Sequence, residues 1–206
     1  MKIEKYLKKN KDKVTILLDN GEVLDTYDDV IVENKLFEGT IINEIVYNKI
    51  LEETKIQEKY NECVKYIKAR LRSEKEIREY LIKKNTDIKC IDIIVDKLIK
   101  KGLINDDFFC KCFINDKLKF TSQGDYRIKQ DLKKSGIDDN IIDKYDYLFD
   151  KELLEKKMDK LIDKYIKASK NKSSNYLKNK IYNNLMVQGY DIDMILTKLN
   201  VFNFEE

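Results

Sequence analysis

Proline, histidine and tryptophan are absent from this 206-residue chain, and glycine occurs only six times. Without proline, nothing in the sequence forces a helix to stop, so long helices can follow one another. Without histidine, the commonest general base and the commonest metal ligand are both missing, which removes catalytic triads and most zinc chemistry. A glycine-rich phosphate loop is also missing, and no carboxylate pair stands out from 38 acids. Asp28-Asp29, Asp106-Asp107 and Asp138-Asp139 look like acid/base or metal candidates only in isolation. The latter two precede expected helices, where acids complement the N-terminal dipole. The sequence therefore predicts no enzyme, no metal and no cofactor.

Two further scarcities concern location. No apolar run of about 18 residues is present, and the start, Met1-Lys2-Ile3-Glu4-Lys5-Tyr6, is charged rather than signal-like. A cytoplasmic, reducing setting without membrane association is expected, so Cys63, Cys90, Cys110 and Cys112 are expected as free thiols. Cys110 and Cys112 are two apart in an expected helix and point to different faces, a poor metal clamp. Buried packing is the expected role of the cysteines.

What the chain has in excess is charge, at 38% of residues against the usual quarter. Its distribution matters more than its net value of +3. Residues 1–58 carry 9 Lys against 13 acids, whereas residues 59–106 carry 13 Lys and Arg against 8. A charge-rich chain with a normal apolar content suits an elongated, surface-rich shape.

Val14-Thr15-Ile16-Leu17-Leu18 and Glu22-Val23-Leu24-Asp25-Thr26-Tyr27 flank Asp19-Asn20-Gly21. Asn-Gly between alternating runs predicts a hairpin with a two-residue turn. Val14, Ile16 and Leu18 would then share a face with Val23 and Tyr27. Ile41, Ile42, Ile45, Val46 and Ile50 predict a short amphipathic helix to cover that face. This N-terminal subdomain is expected to span residues 1–58.

Beyond it the periodicity is helical. Tyr60, Cys63, Val64, Ile67 and Leu71 mark one helix. Ser73-Glu74-Lys75-Glu76 matches a capping box that opens a second, and Ile91, Ile94, Val95 and Leu98 mark a third that closes at Gly102. The arrangement then recurs. Ile77, Leu81 and Asn85 are matched by Ile128, Leu132 and Gly136, at an offset of 51, and by Ile181, Leu185 and Gly189, 53 further on. Asn85, Gly136 and Gly189 fall just past a helix, where a left-handed residue ends it, and Asn and Gly are the types that tolerate that conformation. The first helices of the later repeats are marked by Phe109, Cys112 and Phe113, and by Leu154, Met158, Leu161, Ile162 and Tyr165. The expected fold is mainly α: three tandem three-helix repeats over 59–106, 107–149 and 150–206, stacked into an elongated curved rod. One compact bundle is the competing arrangement.

Arginine is scarce and clustered, since only Arg70, Arg72, Arg78 and Arg127 exist. Arg78 is suitably spaced for a surface pair with Glu74. Arg70 and Arg72 flank a helix start, where a cation gains nothing from the local dipole, so an external anion is a plausible partner.

The stretch Cys63-Val64-Lys65-Tyr66-Ile67-Lys68-Ala69-Arg70-Leu71-Arg72-Ser73 resembles the first-repeat signature of the RecX family, an apolar helix running into Arg-x-Arg-Ser. Leu98-Ile99-Lys100-Lys101-Gly102-Leu103-Ile104-Asn105-Asp106-Asp107-Phe108 is similar to the family's first junction. Gly124-Asp125-Tyr126-Arg127-Ile128, with Leu132 and Gly136, resembles its second repeat, and Lys178 to Tyr190 its third. The chain departs from the pattern at Asn85, where glycine is usual, at Lys117, where arginine is common, and at Asp125 and Tyr126. The resemblance implies a monomeric, non-catalytic regulator lying in the groove of a RecA filament on single-stranded DNA and restraining ATP hydrolysis, strand exchange or filament growth. It makes Arg70, Arg72, Arg78, Lys117 and Arg127 the candidate contacts to RecA or DNA. The competing readings are a stand-alone DNA-binding module and a helical scaffold for another protein. With a pI near 8.4, direct DNA contact is expected to be weak and salt-sensitive.

Overall fold

A computed structural model describes residues 1–8, 13–168 and 173–201. The described residues form three strands, β1 (Ile3–Lys8), β2 (Lys13–Leu18) and β3 (Val23–Tyr27), and ten helices. These are α1 (Asp28–Glu33), α2 (Glu44–Ala69), α3 (Glu74–Lys83), α4 (Ile88–Lys100), α5 (Asp106–Phe120), α6 (Asp125–Lys134), α7 (Asp139–Asp143), α8 (Lys151–Ala168), α9 (Ser174–Gln188) and α10 (Ile192–Val201). The chain divides into two compact units. One contains Met1–Arg72 and Ile77–Ile104, and the other contains Ser73–Glu76 and Asn105–Glu206. The first turn of α3 therefore belongs with the second unit.

In the first unit the sheet is antiparallel in the order β1-β2-β3. It differs from the expected hairpin in two ways. A third strand, β1, precedes the hairpin, its alternation hidden because only Ile3 is fully buried while lysines fill its outer positions. The turn also holds three residues rather than two. Leu18 N–H donates to the Glu22 carbonyl and Gly21 N–H to the Leu18 carbonyl, with Gly21 at φ +84°. Ile16 consequently pairs with Leu24 and Val14 with Thr26. The one-residue difference puts Leu24 inside at 1% exposure and turns Val23 out at 53%, because slipping a strand by one residue exchanges its faces.

The expected short helix is likewise longer than its apolar marks suggested. Asn43 caps it by accepting from the Val46 N–H, and α2 then runs unbroken for 26 residues, so the boundary expected at 58/59 lies inside a helix. Ile42 and Ile50 are buried against the sheet, but Ile41 and Ile45, expected on the same face, are 80% and 78% exposed. The C-terminal half of α2 carries Tyr60 and Cys63 into a second cluster with Ile77, Leu81, Ile91, Ile94 and Leu98 from α3 and α4. One helix thus serves two cores.

The second unit holds α5 to α10 around one cluster that includes Phe109, Ile128, Leu132, Met158, Ile181, Leu185 and Ile195. The three-helix pattern α2–α3–α4, α5–α6–α7, α8–α9–α10 follows the expected recurrence. Ile77, Leu81, Ile128, Leu132, Ile181 and Leu185 all have 0% exposure. Asn85, Gly136 and Gly189 all lie at positive φ, at 53°, 83° and 79°. Each stop closes with the same pair of bonds. Asn85, Gly136 and Gly189 donate to Ile82, Lys133 and Met186, while Thr86, Ile137 and Tyr190 donate to Leu81, Leu132 and Leu185. This double bond pattern satisfies carbonyls that the helix end would otherwise leave unpaired.

Candidate functional site

The segment Arg70-Leu71-Arg72-Ser73 connects α2 to α3. Helix α2 ends because Arg70 turns extended, at φ −165° and ψ 162°. The Ser73 box then starts α3 as its spacing predicts: Ser73 N–H donates to a Glu76 carboxyl oxygen and Glu76 N–H donates back to Ser73 Oγ, both at 3.3 Å. Ser73 is fully buried. Its hydroxyl also donates to the Ser135 carbonyl at 2.7 Å, a second use that the local sequence does not announce.

The two arginines beside this cap differ. Arg70 is exposed at the C-terminal end of α2, where the helix dipole favours a cation, and its Nη1 donates to the Leu71 carbonyl at 2.9 Å. The expectation that both arginines sit against an unfavourable dipole therefore does not apply to Arg70. Arg72 is the one set apart. Its guanidinium lies 3.7 Å from the centroid of the Tyr66 ring. Tyr66 in turn stacks on Tyr80, at 4.3 Å between centroids and 11° between planes, and Lys84 Nζ is 5.7 Å from the Tyr80 centroid. Two phenol rings thus separate two cations. Arg72 Nε is buried without a hydrogen-bond partner, and the guanidinium makes no ion pair among the described residues. Ring stacking fixes its plane, and with Nε buried it is the terminal nitrogens that can donate to an external carboxylate or phosphate. Tyr66 and Tyr80 were legible only as helix-face residues, because their pairing joins α2 to α3.

The other candidate cations are committed. Arg78 Nη1 bonds Asp92 Oδ1 at 2.7 Å, tying α3 to α4. Lys117 Nζ is 3.7 Å from Asp131 and 5.1 Å from the Phe113 centroid. Arg127 Nη1 donates to the Val187 carbonyl at 2.7 Å. Arg127 belongs to a joint in which the C-terminus of α9 meets the N-terminus of α6: Gly124 and Tyr126 N–H groups donate to the Gln188 and Gly189 carbonyls. Orphan donors of one helix meet orphan acceptors of the other, and the two dipoles run head to tail. A similar joint links the end of α6 to the start of α3, where Ser73 and Lys75 donate to the Ser135 and Lys134 carbonyls. Arg70, Arg72 and Arg78 lie in the first unit, and Lys117 and Arg127 in the second.

Two of the four thiols are packing groups, whereas Cys90 and Cys112 are only half-buried. Cys63 and Cys110 are fully buried, and burial pushes their pKa values up to about 12 and about 11, which keeps them protonated and unreactive at neutral pH. Cys112, two residues on, is half-buried on another face. Among the described residues no His, Cys, Asp and Glu group is arranged to hold a metal, and no helix is long and apolar enough to cross a membrane.

Residues 60–98 match the RecX first three-helix domain, and residues 105–145 the RecX second three-helix domain. Among curated proteins, the regulatory protein RecX of Streptococcus agalactiae serotype V is 32% identical over 207 residues, covering 100% of this chain and 79% of the relative. The regulatory protein RecX of Bacillus velezensis is 28% identical over 200 residues, covering 96% and 75%. Among solved structures, a crystal structure of regulatory protein RecX superposes with a TM-score of 0.83 at 23% identity, covering 94% of this chain and 96% of that one. RecX from Lactobacillus salivarius superposes at 0.62 with 29% identity, over 71% and 97%.

Proposed function

Because the chain belongs to the RecX family of regulatory proteins, we propose that it restrains the RecA recombinase by lying in the groove of the RecA filament on single-stranded DNA and slowing ATP hydrolysis, strand exchange or filament growth. The observation that supports a contact role in this chain is Arg72. Its guanidinium lies on Tyr66, which stacks on Tyr80, and it makes no ion pair among the described residues. A side chain already ordered by its own fold loses little freedom when a partner anion arrives, so more of the contact energy is expressed as affinity. Arg70, two residues before Arg72, adds charge to the same loop. Repeats presenting several such patches would bind an extended filament tightly from weak individual contacts.

The test is to titrate the protein into RecA on single-stranded DNA and follow ATP hydrolysis, with DNA alone as the control. The parent is expected to slow hydrolysis. Arg70→Ala/Arg72→Ala is expected to weaken that effect by about tenfold, with a stability loss below about 1 kcal/mol from the vanished ring contact. Arg72→Lys keeps the charge but not the planar fork, and is expected to fall between the two. Ser73→Ala supplies the contrast: a stability loss of about 1–2 kcal/mol through the cap and the bond to Ser135, with a smaller effect on inhibition. A parent that leaves hydrolysis untouched at saturation overturns the RecA reading, and undiminished inhibition by a folded double variant overturns the role of the two arginines.

A further inference from the structure

Lysines are spread so widely along this sequence that none of its lysine runs stands out, yet in the second unit four of them converge. Lys119 at the end of α5 and Lys157, Lys160 and Lys164 on α8 line a cleft of about 460 Å³ floored by Leu118, Leu153 and Leu161, with no carboxylate in its lining. Residues at i, i+3 and i+7 share one helix face, so the three α8 lysines form a row about 10 Å long. None of the four makes an ion pair among the described residues. Three of the four acids of α8 are used elsewhere, and the fourth, Asp163, follows Asp159 by four residues on the same side of the helix. Glu155 and Asp159 meet Lys198 of α10 at 3.6 and 2.9 Å, and Glu152 meets Lys156 at 2.6 Å. One edge of α8 is therefore neutralised within the fold and the other is left positive. Lys157, held at 3.3 Å from the Gln123 carbonyl, has its pKa lowered by burial, so an anion that entered would relieve a strained cation.

We propose that this cleft binds the phosphate backbone of a single-stranded nucleic acid. Its length along α8 suits about two adjacent phosphates of one extended strand. What favours a nucleic acid over an acidic peptide is Phe120, which stands between the lining residues Lys119 and Thr121 in the chain, is 72% exposed and has Lys119 Nζ 5.1 Å from its centroid. A positive groove beside a free aromatic ring is the arrangement in which bases stack while the backbone is neutralised. The inference is independent of the RecA reading, since it concerns DNA and this chain alone.

The experiment is fluorescence anisotropy of a labelled thymidine oligonucleotide of about 20 residues with the full chain, in the absence of RecA, across a salt series starting near 50 mM. Lys160→Gln/Lys164→Gln is expected to weaken binding about tenfold and to reduce the slope of log affinity against log salt by about 1.4, two phosphate contacts at about 0.7 each. Phe120→Ala is expected to cost about fivefold or more. Lys151→Gln/Lys156→Gln removes the same charge from α8 outside the cleft, and its effect is expected to stay below about twofold. Equal losses from the two lysine pairs would reduce the effect to net charge and overturn the site. Absence of binding by the parent at the lowest salt would overturn it as well. Displacement of the oligonucleotide by poly-glutamate together with an inert Phe120→Ala would reassign the cleft to acidic peptides.

Discussion

Asn85 and Gly189 end equivalent helices in the same left-handed conformation, but they stand in different surroundings. Asn85 is exposed. Gly189 is pressed against the first turn of α6, where a Cβ would come within 2.5 Å of both the backbone nitrogen and the Cβ of Arg127. Gly136 occupies the corresponding joint at the start of α3, and a Cβ there would lie 2.6 Å from the Lys75 Cβ. Two demands are thus separable in this chain. A positive φ can be met by Asn or Gly, whereas a close approach admits only Gly. Asn85, exposed at the first repeat's stop, meets the conformational demand with a positive φ of 53°.

The largest effect that would test this contrast is expected from Gly189→Ala. The substitution carries the cost of a left-handed alanine, about 1–2 kcal/mol, and forces apart a backbone contact, adding about 1–3 kcal/mol. A loss near 3 kcal/mol in urea-induced unfolding is expected, and a loss no greater than that of alanine at position 85 would break the distinction.

Gly136→Ala comes next, at about 2 kcal/mol. Its obstacles are all atoms of one lysine, so the Lys75 Cδ and Cγ contacts can be relieved by a change of rotamer while the Cβ contact, fixed to the backbone, stays. If Gly136→Ala proved as costly as Gly189→Ala, the fixed Lys75 Cβ, and not the swinging end of that side chain, would set the cost. Hydrogen exchange at the α3 N-terminus would show which holds.

The smallest effects belong to the open stop. Asn85→Ala is expected to cost about 1 kcal/mol, and Asn85→Gly to change stability by less than about 0.5 kcal/mol. Thermal melting of the two variants side by side would sharpen the comparison, because the difference between them isolates backbone conformation from packing.

The same contrast explains which parts of the molecule were legible from sequence. Helix faces and stops depend on residues a few positions apart, so Ile77, Leu81 and Asn85 and their counterparts disclosed the repeats, and Ser73 and Glu76 disclosed a cap. Features that join distant segments left no local trace. Arg127 read as a surface cation because its acceptor, Val187, is 60 residues away. Arg72 read as one of a pair with Arg70 because the Tyr66–Tyr80 stack that distinguishes it spans two helices. The sheet shows a third kind of failure. Asn20-Gly21 marked a turn correctly, but one residue more in that turn reversed the face on which Val23 lies, and β1 was masked by its lysines. The cleft on α8 escaped because lysines 157, 160 and 164 become a site only when Lys119 and an apolar floor meet them.

The first turn of α3 has a consequence for how the protein is made. Its Glu74 N–H is satisfied by Asp106 Oδ1 at 2.8 Å, its Ser73 hydroxyl by Ser135 and its Lys75 ammonium by Lys134. All three partners are synthesised later than the groups they satisfy. A ribosome that has released the chain as far as Ile104 has produced every residue of the sheet and of the Tyr60–Leu98 core, but none of these three acceptors. Its start is completed in two instalments, when Asn105–Phe120 emerges and again when the end of α6 does. The reciprocal Ser73–Glu76 box can form at once, whereas the three later contacts are added in the order in which the chain is translated.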